Sequence, residues 1–160
     1  MIILGIDPGT ATTGFGVIKK SAKGGGFEVL DFGVIATPKS DSDSQRLEII
    51  AEDLKAIIRR FKPDRVGIEK LFFTNNQKTA MAVSEARGVA LLVCRQAKIN
   101  IFEFTPLQVK SNLCGNGQAD KRQVQYMVKQ TFKLDRVPKP DDAADALAIA
   151  LCAALARKLS

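Results

Sequence analysis

The sequence predicts an α/β protein built on a five-stranded mixed sheet with helices on both faces. Three apolar, strand-like segments follow one another at the start with short connections, which favours antiparallel neighbours. Two further strand-like segments then alternate with helical patterns, which favours parallel pairing. The chain has 160 residues, enough to bury a substantial core, and we expect a single domain over residues 1–160.

Apolar runs and turn residues define the first three strands. Ile2 to Asp7 is apolar up to its last residue, and a Pro-Gly turn then leads to a second strand, Thr12 to Lys20. Three glycines at 24–26 precede the third strand, Phe27 to Ala36. These connections are too short for crossovers, so the three strands are predicted to form a meander.

A helix and a fourth strand follow the polar stretch SDSDS. Ser42 and Gln45 have the spacing of a capping box at a helix start. Apolar residues then recur at helical spacing until Lys62-Pro63, which ends the helix. Arg65 to Leu71 is the predicted fourth strand.

The second half of the chain is predicted to be mainly helical, with one more strand. Asp120 and Gln123 form a second possible capping box. The predicted elements are a long helix (Asn76–Ala97), a strand (Ile99–Phe104), a short helix (Pro106–Leu113), a helix over Lys121–Phe132 and a last helix from Asp141 to about Lys158.

Composition narrows the possible functions. The formal net charge of +7 favours an acidic partner, either nucleic acid or an anionic surface. No segment approaches the ~18 apolar residues of a membrane span, so no membrane association is expected. The absence of histidine excludes Ser-His-Asp and Cys-His catalysis and His-ligated metals. Three scattered cysteines without a CxxC motif indicate reduced side chains and a cytoplasmic protein.

Two strands share the pattern Gly-Ile-acid, as Gly5-Ile6-Asp7 and Gly67-Ile68-Glu69. In a strand, each acid shares a face with the glycine two residues earlier. A face without side chains lets another backbone approach closely. The alanine-rich segment PDDAADALAIALCAALA is the best candidate, because small apolar residues lie all around it.

The first turn of that helix carries Asp141, Asp142 and Asp145. Acids there also occur without function, because they complement the helix dipole. We favour this explanation for Asp141, as the N-cap, and it stays open for Asp142 and Asp145 taken alone. For Asp7 alone, Asp-Pro-Gly turn chemistry is a competing explanation.

Four acids from three converging elements point to a metal site. Packed closely, they would repel one another and their pKa values would rise. A hard divalent cation with oxygen ligands, magnesium or manganese, removes this repulsion. Two such ions can cut phosphodiester bonds, one by activating water and the other by stabilising the leaving oxygen. Together with the basic charge, the acids suggest a metal-dependent nuclease.

The whole chain resembles the RuvC family of Holliday-junction resolvases, which are crossover junction endodeoxyribonucleases with an RNase H-like fold. The matching motifs, in chain order, are GIDPG, IEKLFF, SEARGVA, QVK, DKRQVQ and DDAADALAIA. The resemblance implies two Mg²⁺ ions per site, with Mn²⁺ as a possible substitute. It also implies that four acids are catalytic and bind the metals: Asp7, Glu69, Asp142 and Asp145.

The resemblance assigns further side chains to DNA. Lys110 and Lys121 match lysines that act near the scissile phosphate, although solvated surface charge is the alternative. Phe72 and Phe73 come shortly after Glu69, beyond Lys70 and Leu71, and one of them would point outward where it could stack on an unpaired base. The family resemblance favours Phe72, and burial in the core is the alternative for both.

The helix over residues 76–97 is apolar on more than one face. Either another helix of the chain covers the second face, or the chain forms a symmetric homodimer. The resemblance favours the homodimer, which suits a four-way junction, and it implies a branch-migration motor complex as a further partner.

The expected function is resolution of four-way DNA junctions in recombination and repair. Paired symmetric nicks would leave 5′-phosphate and 3′-hydroxyl ends. One alternative is an RNase H-like nuclease acting on another structured nucleic acid such as RNA. Another is an ATP-binding domain of the actin, heat-shock chaperone and sugar-kinase type, since GIDPGTATTGFGV resembles their phosphate hairpin. Those proteins need two such domains, for which this chain is too short.

Overall fold

The computed structural model describes residues 1–21, 25–71 and 77–156, and these contain five strands and five helices. They follow the predicted order of three strands and then alternating helices and strands. The elements are β1 (Ile2–Asp7), β2 (Thr12–Lys20), β3 (Phe27–Ala36), α1 (Asp43–Phe61), β4 (Arg65–Glu69), α2 (Gln77–Gln96), β5 (Asn100–Phe104), α3 (Pro106–Cys114), α4 (Lys121–Thr131) and α5 (Asp141–Leu155).

The strands form one mixed sheet in the order β3-β2-β1-β4-β5. β2 pairs antiparallel with both β1 and β3, whereas β4 pairs parallel with both β1 and β5. The prediction of three antiparallel strands followed by two parallel ones is confirmed. Because β1 is the central strand, a side chain at its carboxyl end has a strand on either side.

Helices cover both faces of the sheet, as predicted. Side chains alternate along β1: Leu4 and Ile6 join the hydrophobic layer beneath α1 and α2, and Ile3 joins the layer beneath α3, α4 and α5. This alternation is the ordinary two-residue period of a strand. Across the described parts of the chain, no helix combines the length and apolar character needed to cross a membrane.

Glycines on adjacent strands let α5 approach the middle of the sheet. Gly5 of β1 pairs with Gly16 of β2 and with Gly67 of β4. A Cβ atom added at Gly5 would lie 2.0 Å from the carbonyl oxygen of Ala146 in α5. Backbone therefore packs almost directly on backbone, which only a strand face without side chains permits.

The alanine-rich helix α5 is buried on nearly every side. All residues from Ala143 to Ala154 except Asp145 are buried. The prediction that this segment packs on the bare glycine face is confirmed. Its first turns lie beside the carboxyl ends of β1 and β4, so its acids meet those of the strands.

Capping boxes mark the first residues of three helices. The capping boxes predicted at Ser42–Gln45 and Asp120–Gln123 are both present, with side-chain and backbone groups bonded reciprocally. A third box, at Thr105–Gln108, starts α3. Each box satisfies two backbone donors that a helix start leaves unpaired.

Several predicted element ends differ from the structure, among them those of β4 and α5. β4 ends at Glu69 rather than Leu71, because its partner β5 ends at Phe104, whose carbonyl accepts from the Lys70 amide. α5 ends at Leu155, where Ala156 turns to an extended backbone. The predicted end at Lys158 lies outside the described residues.

Candidate active site

Two strand ends supply the first pair of acids. Asp7 is the last residue of β1 and Glu69 the last of β4. The strands pair in parallel with Gly5 opposite Gly67 and Ile6 opposite Ile68. The two carboxylates therefore emerge from adjacent strands on the face that α5 covers, as the Gly-Ile-acid pattern predicted.

The start of α5 adds the second pair. One carboxylate oxygen from each of Asp7, Asp142 and Asp145 lies within 4.8 Å of the other two. Glu69 lies beside this group, since its charge acts on both Asp7 and Asp145. The four acids named from the sequence are thus brought together at one edge of the sheet.

Burial and mutual repulsion both raise the pKa values of these acids. Burial, followed by the charges of Glu69, Asp145 and Asp142, raises the pKa of Asp7 to about 8. Burial and the charge of Asp145 raise the pKa of Glu69 to about 7. The pKa of Asp145 is also raised, chiefly by burial, although Lys121 opposes this. Raised pKa values mean that the ionised form of the cluster is costly near neutral pH, because too little positive charge lies close enough to stabilise it.

The donor set fits a hard divalent cation. Three converging carboxylates offer oxygen ligands alone within 4.8 Å, and magnesium, calcium and manganese prefer such ligands. A bound cation would favour the ionised carboxylates that are otherwise costly to bury. The acid cluster is therefore suited to metal binding, and its donor atoms do not by themselves select one of these metals.

Thr12 is a contact of the cluster that sequence reasoning missed. Its Oγ1 donates a 2.6 Å hydrogen bond to Oδ2 of Asp142. The neighbouring Gly14 pairs with Asp7, and a Cβ there would lie 2.1 Å from the Asp142 carbonyl oxygen. β2 thus fixes both the backbone and the side chain of Asp142. The only hint in the sequence is Gly14, two residues after Thr12, and it indicates a contact with Asp142 only if α5 is already known to cross β2.

The prediction that Asp141 is the N-cap of α5 is wrong. Pro140 occupies the N-cap without a side-chain hydrogen bond, and Asp141 is the first helical residue. Its carboxylate contacts Lys139 at 2.8 Å and Lys121 at 3.1 Å and accepts a hydrogen bond from Gln125. Hydrogen bonds from these two lysines lower the pKa of Asp141 to about 2. Asp141 binds these neighbours instead of its own helix start.

The two predicted lysines lie on one side of the acids. Lys110 of α3 and Lys121 of α4 line a cavity of about 250 Å³ together with Glu69 and Asp145. Both lysine charges act to lower the pKa of Asp145. The Lys121 side chain remains 55% exposed despite its ion pair with Asp141, so it is accessible to a ligand. Phe72 and Phe73 lie outside the described residues.

Arg87 is a second contact that the sequence did not reveal. Its Nε donates a 3.0 Å hydrogen bond to the backbone carbonyl of Glu69, and its guanidinium also pairs with Glu103 of β5. Arg87 comes from the SEARGVA motif of α2. It holds the end of β4, and with it the base of Glu69, against the neighbouring strand.

The pKa shifts predict how stability changes with pH. Without metal, the free energy of unfolding should fall as pH rises from about 4 to about 8. The folded protein keeps protons on Asp7 and Glu69 that the unfolded chain releases near pH 4, so the folded state binds more protons in this window. We expect a loss of about 6 kcal/mol between pH 5 and pH 8 from the two acids together, measured by urea unfolding in EDTA.

Asp7→Asn is the control for this pH dependence. It removes the acid whose pKa is raised furthest and should therefore reduce the slope of stability against pH. Added Mg²⁺ should do the same in the wild type, since metal binding competes with protonation. Stability that rose with pH in EDTA would contradict the assignment of the shifts to these two buried acids.

The mixed sheet, the buried alanine-rich helix and the carboxylates at the strand ends place the chain among nucleases with an RNase H-like fold. Residues 3–153 match the family model described as crossover junction endodeoxyribonuclease RuvC. The chain belongs to the RuvC family.

Relatives and solved structures agree along nearly the whole chain. The crossover junction endodeoxyribonuclease RuvC of Natranaerobius thermophilus is 50% identical over 159 residues, which is 99% of this chain and 98% of the relative. The Thermus thermophilus RuvC structure superposes with a TM-score of 0.87 at 34% identity, covering 95% of this chain and 92% of that one. T. thermophilus RuvC in complex with Holliday junction substrate gives a TM-score of 0.85 at 30% identity, with the same coverage.

Proposed function

We propose that this protein is an endonuclease that resolves four-way DNA junctions by metal-dependent hydrolysis. The observation that carries the proposal is the carboxylate cluster of Asp7, Asp142 and Asp145 in a chain of this family. A similar T. thermophilus protein binds Holliday junction substrate. The net charge of +7 favours association with DNA, whose backbone is uniformly negative.

The proposed catalytic residues are Asp7, Glu69, Asp142 and Asp145, which would hold two Mg²⁺ ions, with Mn²⁺ as a substitute. When bound, these ions supply Lewis-acid chemistry for hydrolysis that leaves 5′-phosphate and 3′-hydroxyl ends. The converging oxygens support this proposal. Thr12 orients Asp142 by its hydrogen bond, and Arg87 holds the Glu69 backbone.

Lys110 and Lys121 are proposed to bind the DNA backbone beside the reacting phosphate. Their cavity opens next to Glu69 and Asp145, so a phosphate bound there would lie at the edge of the acid cluster. Positive charge at this position offsets the negative charge that the acids and the phosphate bring together. For Phe72 and Phe73, base stacking remains a proposal from the family resemblance.

We also propose a homodimer formed through the 76–97 helix. Met81 and Leu92 on α2 are 69% and 57% exposed, whereas Ala86 and Ala90 of the same helix are buried in the core. Large exposed apolar side chains support a partner on this face. Resolving a junction requires cuts in two of its strands, and a two-fold dimer would present one site to each of them.

The proposed cellular context follows from the family resemblance and from the cysteines. Association with a branch-migration motor complex follows from the family resemblance. A cytoplasmic location is supported by the free cysteines Cys94, Cys114 and Cys152, because thiols persist in reducing compartments. We also propose that residues 1–160 form one nuclease domain.

The test compares four substrates with wild-type protein and Mg²⁺: a labelled four-way DNA junction, a linear duplex of the same sequence, a four-way RNA junction and an RNA–DNA hybrid. We expect paired, symmetric nicks in the DNA junction and at least tenfold slower cutting of the others, because a shaped site discriminates by transition-state fit. Faster cutting of either RNA-containing substrate would favour the RNase H-like alternative. Absence of junction cutting would overturn the proposal.

A further inference from the structure

A second cavity adjoins Asp7 and Asp142, the two acids that do not line the cavity of Lys110 and Lys121. It is about 570 Å³ and is lined by Asp7, Asp142, the turn between β1 and β2, the start of α1 and one face of α2. The acids therefore line two open cavities. A nucleic-acid strand that crosses the cluster must occupy both sides, because the sugar–phosphate backbone is continuous.

Among the side chains that the structure describes, Arg46 is the cation that lines this second cavity. Its Nε donates a 2.8 Å hydrogen bond to Oγ1 of Thr37. Thr37 is buried, and its hydroxyl donates in turn to the carbonyl of Thr10 at 2.6 Å. The Thr37 amide also donates to the Ala11 carbonyl at 3.1 Å. A chain of hydrogen bonds thus fixes the half-buried arginine to the turn that follows Asp7.

The orientation of Arg46 leaves binding capacity for an anion. Only its Nε is used in that chain, while a guanidinium offers five N–H donors in a planar fork suited to phosphate. Within the described ranges, no carboxylate forms a salt bridge with it. Thr10 also donates to the Ala82 carbonyl of α2 at 2.8 Å, which fixes the wall of the cavity facing Arg46.

We infer that Arg46 binds a backbone phosphate of the DNA strand on the Asp7–Asp142 side of the cluster, in a different cavity from Lys110 and Lys121. This inference rests on the proposed function and identifies a further contact of the same site. Phosphate contacts from both sides fix the register of a strand across the acids, because backbone contacts position a nucleic acid without reading its sequence. Arg46 is thus a binding residue that sets where the scissile phosphate lies.

The experiment measures junction binding by fluorescence anisotropy in the inactive Asp7→Asn background, with Mg²⁺ and a series of salt concentrations. Arg46→Gln should weaken binding about tenfold and lower the slope of log Kd against log salt by about 0.9, the share of one phosphate contact. Arg46→Lys should keep the slope and recover part of the affinity, since lysine retains the charge without the fork.

Arg59→Gln is the matched control. Arg59 lies on the same helix α1, exposed in its last turn and about 20 Å along the axis from Arg46, and its loss should change affinity less than twofold. Circular dichroism and Tm show whether each variant is folded. If Arg46→Gln is unfolded, Arg46→Met takes its place. An unchanged slope and affinity for the folded Arg46 variant would overturn the inference, even if wild-type protein resolves junctions. If wild type fails to resolve them, the proposed function itself is wrong.

Discussion

Asp7→Asn is expected to reduce the single-turnover rate of junction cutting about 1,000-fold or more, while the protein remains folded. Asp7 lies at the end of the central strand, within 4.8 Å of oxygens of Asp142 and Asp145. Asparagine keeps the shape of the side chain and removes the negative charge needed to hold a divalent cation. The rate is measured on a labelled junction with saturating protein and Mg²⁺.

A second readout separates loss of metal binding from loss of DNA binding. Isothermal titration with Mn²⁺ should give weaker binding for Asp7→Asn, whereas junction affinity should be retained. Asp53→Asn is the control, because Asp53 is an exposed acid on α1 outside the carboxylate cluster. Equal cutting by wild type and Asp7→Asn would remove Asp7 from the proposed site.

Gly5→Ala is expected to lower the free energy of unfolding by about 3 kcal/mol. The added Cβ would lie 2.0 Å from the Ala146 carbonyl oxygen and 2.5 Å from the Ala150 amide nitrogen. Both are backbone atoms of a buried helix, so neither can rotate away as a flexible side chain would. α5 must shift off the sheet, which also displaces Asp142 and Asp145. Equilibrium urea unfolding measures the effect.

Gly26→Ala is the matched control for this substitution. A Cβ at Gly26 meets nothing within 4 Å, so the free energy of unfolding should change by less than about 1 kcal/mol. If Gly5→Ala were as stable as Gly26→Ala, α5 would not pack against the glycine face as described.

The sequence predicts those parts of the site that repeat a local pattern. The two Gly-Ile-acid segments predict that Asp7 and Glu69 lie side by side, and the pairing of Gly5 with Gly67 confirms their alignment. The alternation of a strand is a strict period of two, so a glycine and an acid two residues apart must share a face. The alanine-rich segment similarly indicates a buried helix, because a helix with apolar residues on all sides is covered on all sides.

The contacts that the sequence did not predict join elements far apart in the chain. Thr12 and Asp142 are separated by 130 residues, and no periodicity relates a threonine in β2 to an acid in α5. Arg87 reaches the Glu69 carbonyl, which has no side-chain signature. The prediction for Asp141 is wrong because it relied on a local pattern alone, the preference for acids at helix starts. In the structure, the Asp141 carboxylate pairs with Lys121 of another helix.

The long separation between β1 and α5 has a consequence for how the protein is made. Asp7 of β1 is synthesised well before Asp145 of α5, so the carboxylate cluster can form only after α5 has been made and has packed on the sheet. A nascent or truncated polypeptide lacking α5 would carry Asp7 and Glu69 without their partners. Such a product should have no cutting activity of its own.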